Sequence, residues 1–321
     1  MSKIFKTMSS KYYFAQRNKQ QDLIGTAIFN GDKGNGLFKN KPYPFVLSNG
    51  DNNIFSPVVV DAKKYFNENG ISWWSGDKPT GHVLSSQIAC INHLFAIRKD
   101  KNAVLKVLNG VLNEFSEVLP IECDNDKQYI AFEVVSTHDH LNEINTTRGA
   151  NCTSVDAFIL AKHKSGEIWL IPIEWKYVES YNTDDKSAGK SGETRKNRYN
   201  DLIKKSKQLK WFDDYKVYYQ EPFYQLMRQT LWAEQVIANK ATETLKADNF
   251  LHIHVIPKNN DALLKTNTRY PYNVSDKGME DTWRSCLNDQ SKYRIVDPEV
   301  LLSPVADEYN ELVEYLKKRY W

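Results

Sequence analysis

No C-x-x-C pair occurs in this sequence. Its four cysteines, Cys90, Cys123, Cys152 and Cys286, stand far apart, which indicates neither a zinc cluster nor a disulfide framework. Reduced thiols in a cytoplasmic setting are the default expectation. Long apolar runs are also missing: no stretch approaches the roughly 18 residues that span a bilayer. The opening segment MSKIFKTMSSKYYFAQ lacks the apolar stretch of a secretory signal. A soluble chain with no membrane partner is expected. There is no G-x-S-x-G elbow and no H-E-x-x-H helix, so serine-hydrolase and zincin chemistry have no support. The GDKGNG stretch at 31–36 fits neither a P-loop nor a dinucleotide fingerprint and reads as a turn. His138-Asp139-His140 lacks the preceding H-x-H of metallo-hydrolases.

What remains is a chain of 321 residues, enough for one large or two modest domains and a core without staples. The net charge of +3 is uninformative, but its distribution is uneven. Between Lys186 and Lys210 nine basic residues, Lys196 and Arg198 among them, face only Glu193 and Asp201. Such a patch holds a polyanion by counterion release; it equally describes a solvated helix face. Residues 1–80 carry short segments and turn signals. The spacing predicts helices from Ser56 to Asn69, capped by Gly70, and from Ser85-Ser86-Gln87 onward. A third helix is expected to carry Val104, Leu105, Leu108, Val111, Leu112 and Phe115. Strands are predicted at Tyr129–Val135, Val155–Ala161, Ile168–Tyr177 and Phe250–Ile256. Residues 179–195 read as a loop or flap, Lys196–Lys210 as a basic helix, and Pro222–Ala238 and Asp307–Lys318 as amphipathic helices. The whole suggests an α/β fold with a mixed sheet.

The informative stretch is SVDAFILAKHKSGEIWLIPIEWKYVES. A three-residue loop, Lys164-Ser165-Gly166, fits a type I turn closed by a glycine bulge. Facing residue numbers then sum to 330, so His163 faces Glu167 and Asp156 faces Glu174, with Cβ atoms about 4.5–5.5 Å apart. A two-residue turn would shift this register by one. Alternation puts Glu174 and Lys176 on one face and Trp169, Ile171, Ile173, Trp175 and Tyr177 on the other. Two close carboxylates repel, and a bound divalent cation relieves that conflict; Mg²⁺ suits such oxygen ligands. Spacing alone also describes an ordinary cross-strand salt-bridge cluster on an exposed face. Pro172 cannot donate to a ladder, so a bulge or local edge is expected near Glu174.

At Asp156 and Glu174-Trp175-Lys176 the sequence resembles the PD-(D/E)XK nuclease superfamily, whose signature is an acid on one strand and (D/E)-x-K on the next. Val155 stands where the signature has proline. The phrases PTGHVLSSQIACINHLF, LNEINTTRGANCTSVDAFI and FYQLMRQTLWAEQVI are similar to a bacterial branch of restriction-endonuclease-like proteins, over about residues 20–305. The resemblance implies an αβββαβ core with a mixed sheet flanked by helices, plus N-terminal (1–80) and C-terminal (261–321) additions to a core at 81–260. It implies Mg²⁺-dependent phosphodiester hydrolysis, with Mn²⁺ able to substitute. Asp156 and Glu174 would ligate metal with the carbonyl of Trp175, and Lys176 would assist catalysis. Where many members carry an acid on the first core helix, this chain offers Gln87. Glu143 is the preferred third carboxylate and metal ligand, since Glu133 reads as a strand residue facing solvent.

Gln225, Arg228 and Gln229 share a helix face, and some nucleases of the superfamily place a glutamine near the metal from this helix. Arg228 is a candidate phosphate grip, and Gln87 a candidate substrate contact or a helix cap; a solvated face is the bland reading of the Gln225–Arg228 pattern. His252 and His254 alternate on one strand and read as structural. The expected function is a metal-dependent nuclease acting on DNA, as a homodimer if it cuts both strands. A catalytically silent nucleic-acid-binding module and a protein-binding scaffold are the alternatives.

Overall fold

A computed structural model describes residues 11–74, 76–121, 127–144, 147–149, 152–181, 185–265 and 278–321, leaving Cys123 outside the described residues. Helix α1 (Lys11–Leu23) leads to a small hairpin, β1 (Leu37–Phe38) and β2 (Lys41–Pro42). Helices α2 (Val59–Glu68), α3 (Ser86–Leu94) and α4 (Lys101–Val111) follow. Then come strands β3 (Phe115–Leu119), β4 (Ala131–Val134), β5 (Val155–His163) and β6 (Ile168–Trp175). Helices α5 (Gly189–Lys205) and α6 (Phe223–Ala238) precede β7 (Asn249–Phe250) and β8 (His252–Val255). The chain closes with α7 (Asp261–Leu264), α8 (Met279–Ser285), β9 (Tyr293–Val296), α9 (Pro298–Leu302) and α10 (Asn310–Arg319).

The predicted hairpin lies at the middle of a seven-stranded sheet of order β3-β5-β6-β8-β9, with β4 beside β5 and β7 beside β6. The β3, β4 and β6 pairings with β5 are antiparallel, and those of β6 with β7 and β8, and of β8 with β9, are parallel. The sheet is therefore mixed, and helices flank it on both faces. Ile171, Ile173, Trp175 and Tyr177 pack with α3, α4 and α10 in one core, while Phe158 and Leu170 pack with α5 and α6 in a second. Side chains between Phe29 and Ile97 and between Leu301 and Tyr320 share the first core. Arg319 donates to the Asn53 carbonyl at 2.6 Å, and Gln20 donates to the Tyr177 hydroxyl at 2.9 Å, tying the two ends of the chain beneath β6.

The register follows turn chemistry. Ala157 pairs with Ile173, Phe158 with Pro172 and Lys162 with Ile168, so facing numbers sum to 330 along the hairpin. The loop closes through the Gly166 N–H on the His163 carbonyl (2.9 Å), with Gly166 at φ 96°, a conformation glycine adopts without steric cost. Pro172 lies within the unbroken β5–β6 register, so the expected bulge is absent from this hairpin. Its missing N–H is felt on the other edge. The parallel ladder lapses between Leu170↔Phe250 and Ile173↔Ile253, which separates β7 from β8.

Four expectations are corrected. The third helix stops at Val111, and Phe115 begins a strand. The Asn109 side chain accepts from the Phe115 N–H (3.1 Å) and donates to its carbonyl (3.0 Å), turning the chain where apolar spacing alone would continue the helix. The basic helix begins at Gly189 rather than Lys196 and ends at Lys205. Its buried positions are only Gly192, Tyr199 and Ile203, too sparse a stripe to read as helical. Strand β9 and helix α1 were not expected at all.

Candidate active site

Three carboxylates come together where β4, β5 and β6 run side by side. Phe132↔Ala157 and Val134↔Val155 bracket Glu133 and Asp156, which therefore lie across from one another. On the other flank of β5 the Trp175 N–H donates to Asp156 Oδ2 at 2.7 Å, bringing Glu174 next to Asp156. Asp156 is half-buried, while Glu133 and Glu174 are buried. Burial raises the Asp156 carboxyl well above its usual range, and the charges of Glu174 and Glu133 raise it further. Glu133 is raised by burial and by Glu174, against hydrogen bonds from Gln87 and Ser154 that lower it.

Lys176 supplies the cation. Its buried ammonium donates to Glu174 Oε1 and to Gln225 Oε1. Burial pushes the ammonium pKa down, but Glu174, Tyr181, Asp156 and Glu179 outweigh it and hold the group well above its ordinary value. Lys176 is thus a firmly protonated donor.

Helix α6 orients the pair from above. Gln225 and Gln229, one turn apart, face Lys176 and Glu174. Gln229 donates to Glu174 Oε2 and, at 3.2 Å, to the Ser154 carbonyl; its own oxygen lies 2.8 Å from His252 Nε2. Burial lowers His252 to about 4, so it is neutral here, and lowers His254 well below the usual histidine range. His254 Nδ1 lies 2.9 Å from the Tyr293 hydroxyl. Both histidines support the site and stand outside the carboxylate row.

Other candidates fall elsewhere. Glu143 is not in the row: Thr153 donates to it through N–H and hydroxyl (both 2.6 Å), Tyr199 donates at 2.6 Å, and Arg228 lies 3.6 Å away. Those donors tie a loop to α5 and α6. Glu133 takes the third place, contrary to its reading as a solvent-facing strand residue. No strand-pairing signal in the sequence links β4 to β5, and the pairing is what brings Glu133 in. Its backbone is left-handed, at φ 50°, a conformation that costs about 1–3 kcal/mol outside glycine and clusters at functional sites. Arg148 Nε donates to its carbonyl at 3.0 Å, and Ser154 Oγ to its carboxylate at 2.8 Å.

Gln87 uses its amide internally. It donates to Glu133 Oε1 (2.8 Å) and the Ser72 carbonyl (3.2 Å), and accepts from the Trp74 N–H (2.9 Å). The cap of α3 is Ser85, whose hydroxyl accepts from the Ile88 N–H at 3.3 Å. Arg228 also lies over the Tyr224 ring, 4.8 Å from its centre. Lys196 pairs with Glu193 at 2.6 Å, and Arg198 is half-buried on the same helix, α5. Among the described residues, no three His, Cys, Asp or Glu side chains approach closely enough to enclose a metal ion by themselves, and no helix is long and apolar enough to cross a membrane.

Residues 23–321 match the family described as restriction endonuclease associating with ARP. The chain belongs to this family. No curated protein and no solved structure matches it significantly. The mixed sheet flanked by helices is consistent with a restriction-endonuclease-like core, and membership makes a nucleic acid the expected partner of the REase-ARP chain.

Proposed function

We propose that this REase-ARP protein is a metal-dependent nuclease of PD-(D/E)XK type that hydrolyses phosphodiester bonds of DNA. The observation that carries the reading is the row Glu133–Asp156–Glu174 with a single buried ammonium, Lys176, against it. Three carboxylates exceed the charge of one lysine, and the donor set is hard oxygen. Mg²⁺ commonly takes one or two carboxylates and keeps several waters, so Asp156 and Glu174 fit it without an all-protein cage. A divalent cation at that pair, Mg²⁺ or Mn²⁺, supplies Lewis-acid activation of the phosphate and of a water. Asp156 is oriented by the Trp175 N–H, which its Oδ2 accepts. Glu174 is held from both sides, by Lys176 and Gln229. Lys176 stabilises negative charge developing on the phosphate by hydrogen bonding. Lys196 and Arg198, on α5, are candidate contacts to the strand backbone.

The test is a cleavage panel of plasmid, linear and single-stranded DNA and RNA with Mg²⁺ or Mn²⁺, against Glu174→Ala. Metal-dependent cleavage of DNA that vanishes in Glu174→Ala with the circular-dichroism spectrum unchanged is the expected result. Salt-dependent binding without turnover under any metal would instead identify a binding module on the same fold.

Gln229 gives a second test. Gln229→Leu keeps the packing of α6 and removes the donor that fixes Glu174. Partners one step behind a metal ligand are worth about 10–100-fold in metal affinity or activity. The Mg²⁺ concentration giving half-maximal cleavage is therefore expected to rise by about tenfold or more. An unchanged Mg²⁺ curve would show that Gln229 only fills space.

A further inference from the structure

A wide opening lies outside the carboxylate row, in the N-terminal part of the chain. It is a cleft of about 1570 Å³ bounded by residues between Leu37 and Gly81. Small-molecule pockets run to about 300–1,000 Å³, so this cleft suits a segment of polymer better than a metabolite. Trp74 stands in it with 53% of its surface exposed. One face of the indole is stacked on Phe38, 5.3 Å between ring centres and 24° between planes, and His82 meets it edge-on at 5.6 Å. The indole is thus held by Phe38 and His82 with about half of its surface exposed. Phe38 belongs to the β1–β2 hairpin, whose turn residues Lys39 and Asn40 have φ of 50° and 61°. Two successive left-handed residues make a tight type I′ turn, so the platform rests on a short rigid hairpin. Lys39 and Lys78 line the cleft as exposed cations, whereas Lys63 is paired with Asp51 at 2.5 Å.

The cleft wall is also part of the carboxylate centre. Ser72 and Trp74 line the cleft, and the Gln87 amide joins both to Glu133. Gly149 closes the gap between them: a Cβ there would come within 2.8 Å of the Ser72 oxygen and 3.6 Å of Glu133 Cδ. The cleft wall and the carboxylate row are therefore neighbours in the fold.

The geometry points to a base-binding site: an unstacked nucleobase of the substrate strand stacks on the exposed indole of Trp74 in the cleft, with its flanking phosphates at Lys39 and Lys78. The inference rests on the nuclease reading for the identity of the polymer, and it adds a site that recognises an unpaired base. Base–aromatic stacking of this kind tolerates any sequence and requires an exposed rigid ring.

The experiment uses the full chain in EDTA, so that no cleavage intervenes. The probes are a single-stranded oligonucleotide and a duplex with one unpaired 2-aminopurine, read by anisotropy and by 2-aminopurine fluorescence. The parent is expected to bind both and to quench the unpaired 2-aminopurine. Trp74→Ala, at an exposed side chain, is expected to keep its melting temperature, to bind about tenfold more weakly and to lose the quenching. Trp74→Phe is expected to restore most of both. If the oligonucleotides bind and Trp74→Ala changes neither readout, the base site is overturned while the nuclease reading stands. If neither probe binds to the parent, the base site is overturned, and the nuclease reading is decided separately by the metal-dependent cleavage panel.

Discussion

Asp156→Asn is expected to abolish cleavage, by a factor of about 10³ or more, and to make the metal-free protein more heat-stable. The first effect follows from losing an anionic oxygen beside Glu174, where removing one electrostatic contact to a developing charge costs about 10²–10³ and losing a metal ligand costs more. The second follows from the pKa of the parent. Asp156 is raised by burial and by its two carboxylate neighbours. A folded pKa above the unfolded one stabilises the fold most below the ordinary carboxylate range, and that contribution is lost as pH rises through the folded value. At neutral pH the ionised group is a liability that asparagine removes, while the amide oxygen still accepts the Trp175 N–H. The variant is therefore expected to melt above the parent at neutral pH in EDTA. Calorimetry at several pH values in EDTA checks the sign. The difference between variant and parent should grow from near zero at pH 4 toward neutrality. Saturating Mg²⁺ should reverse the order, since only the parent gains binding energy, about 2.7 kcal/mol at a hundredfold excess over Kd. A variant that melts below the parent throughout would mean that the carboxylate row is not under electrostatic load.

The same row shows how much of the site was legible before the fold was known. Asp156, Glu174 and Lys176 were placed by one local fact, the three-residue loop ending in Gly166, because a hairpin's register is fixed by its turn. Gln225 and Gln229 were legible as a helix face, since helical spacing is also local. Glu133 was not. Its place depends on β4 meeting β5 across a polar segment of some twenty residues, and on a left-handed backbone that no apolar pattern encodes. Glu143 was preferred because Glu133 read as a strand residue facing solvent, yet Glu143 lies apart from the row, against Thr153, Tyr199 and Arg228. Strand β9 escaped for a related reason. Parallel pairing to β8 joins distant segments, with no turn to announce it. The early start of α5 escaped because only Tyr199, Ile203 and a glycine are buried on it.

Lys176→Ala is expected to have the largest effect on stability, and the effect separates two roles for the lysine. Glu174 is buried with Lys176 and Gln229 as its partners. Removing one member of a buried ion pair costs about 3–5 kcal/mol because the other charge is left uncompensated. That corresponds to a fall of about 4–7 °C for a chain of this size. The loss should be smaller in Mg²⁺, since a cation at Asp156 and Glu174 replaces the missing charge. Cleavage should not return with the fold. On the proposed function, a protonated amine beside the scissile phosphate would stabilise charge that appears only in the transition state, and its absence would cost about 10²–10³ in rate. The decisive measurement is cleavage by Lys176→Ala at a Mg²⁺ concentration that restores its melting temperature to that of the metal-free parent. Rates within tenfold of the parent under that condition would reduce Lys176 to a structural counter-ion and leave the carboxylates alone as the reactive part of the site. Lys176→Arg sharpens the comparison: it retains the charge on Glu174 but replaces a compact ammonium with a planar fork, so stability should recover while cleavage stays low.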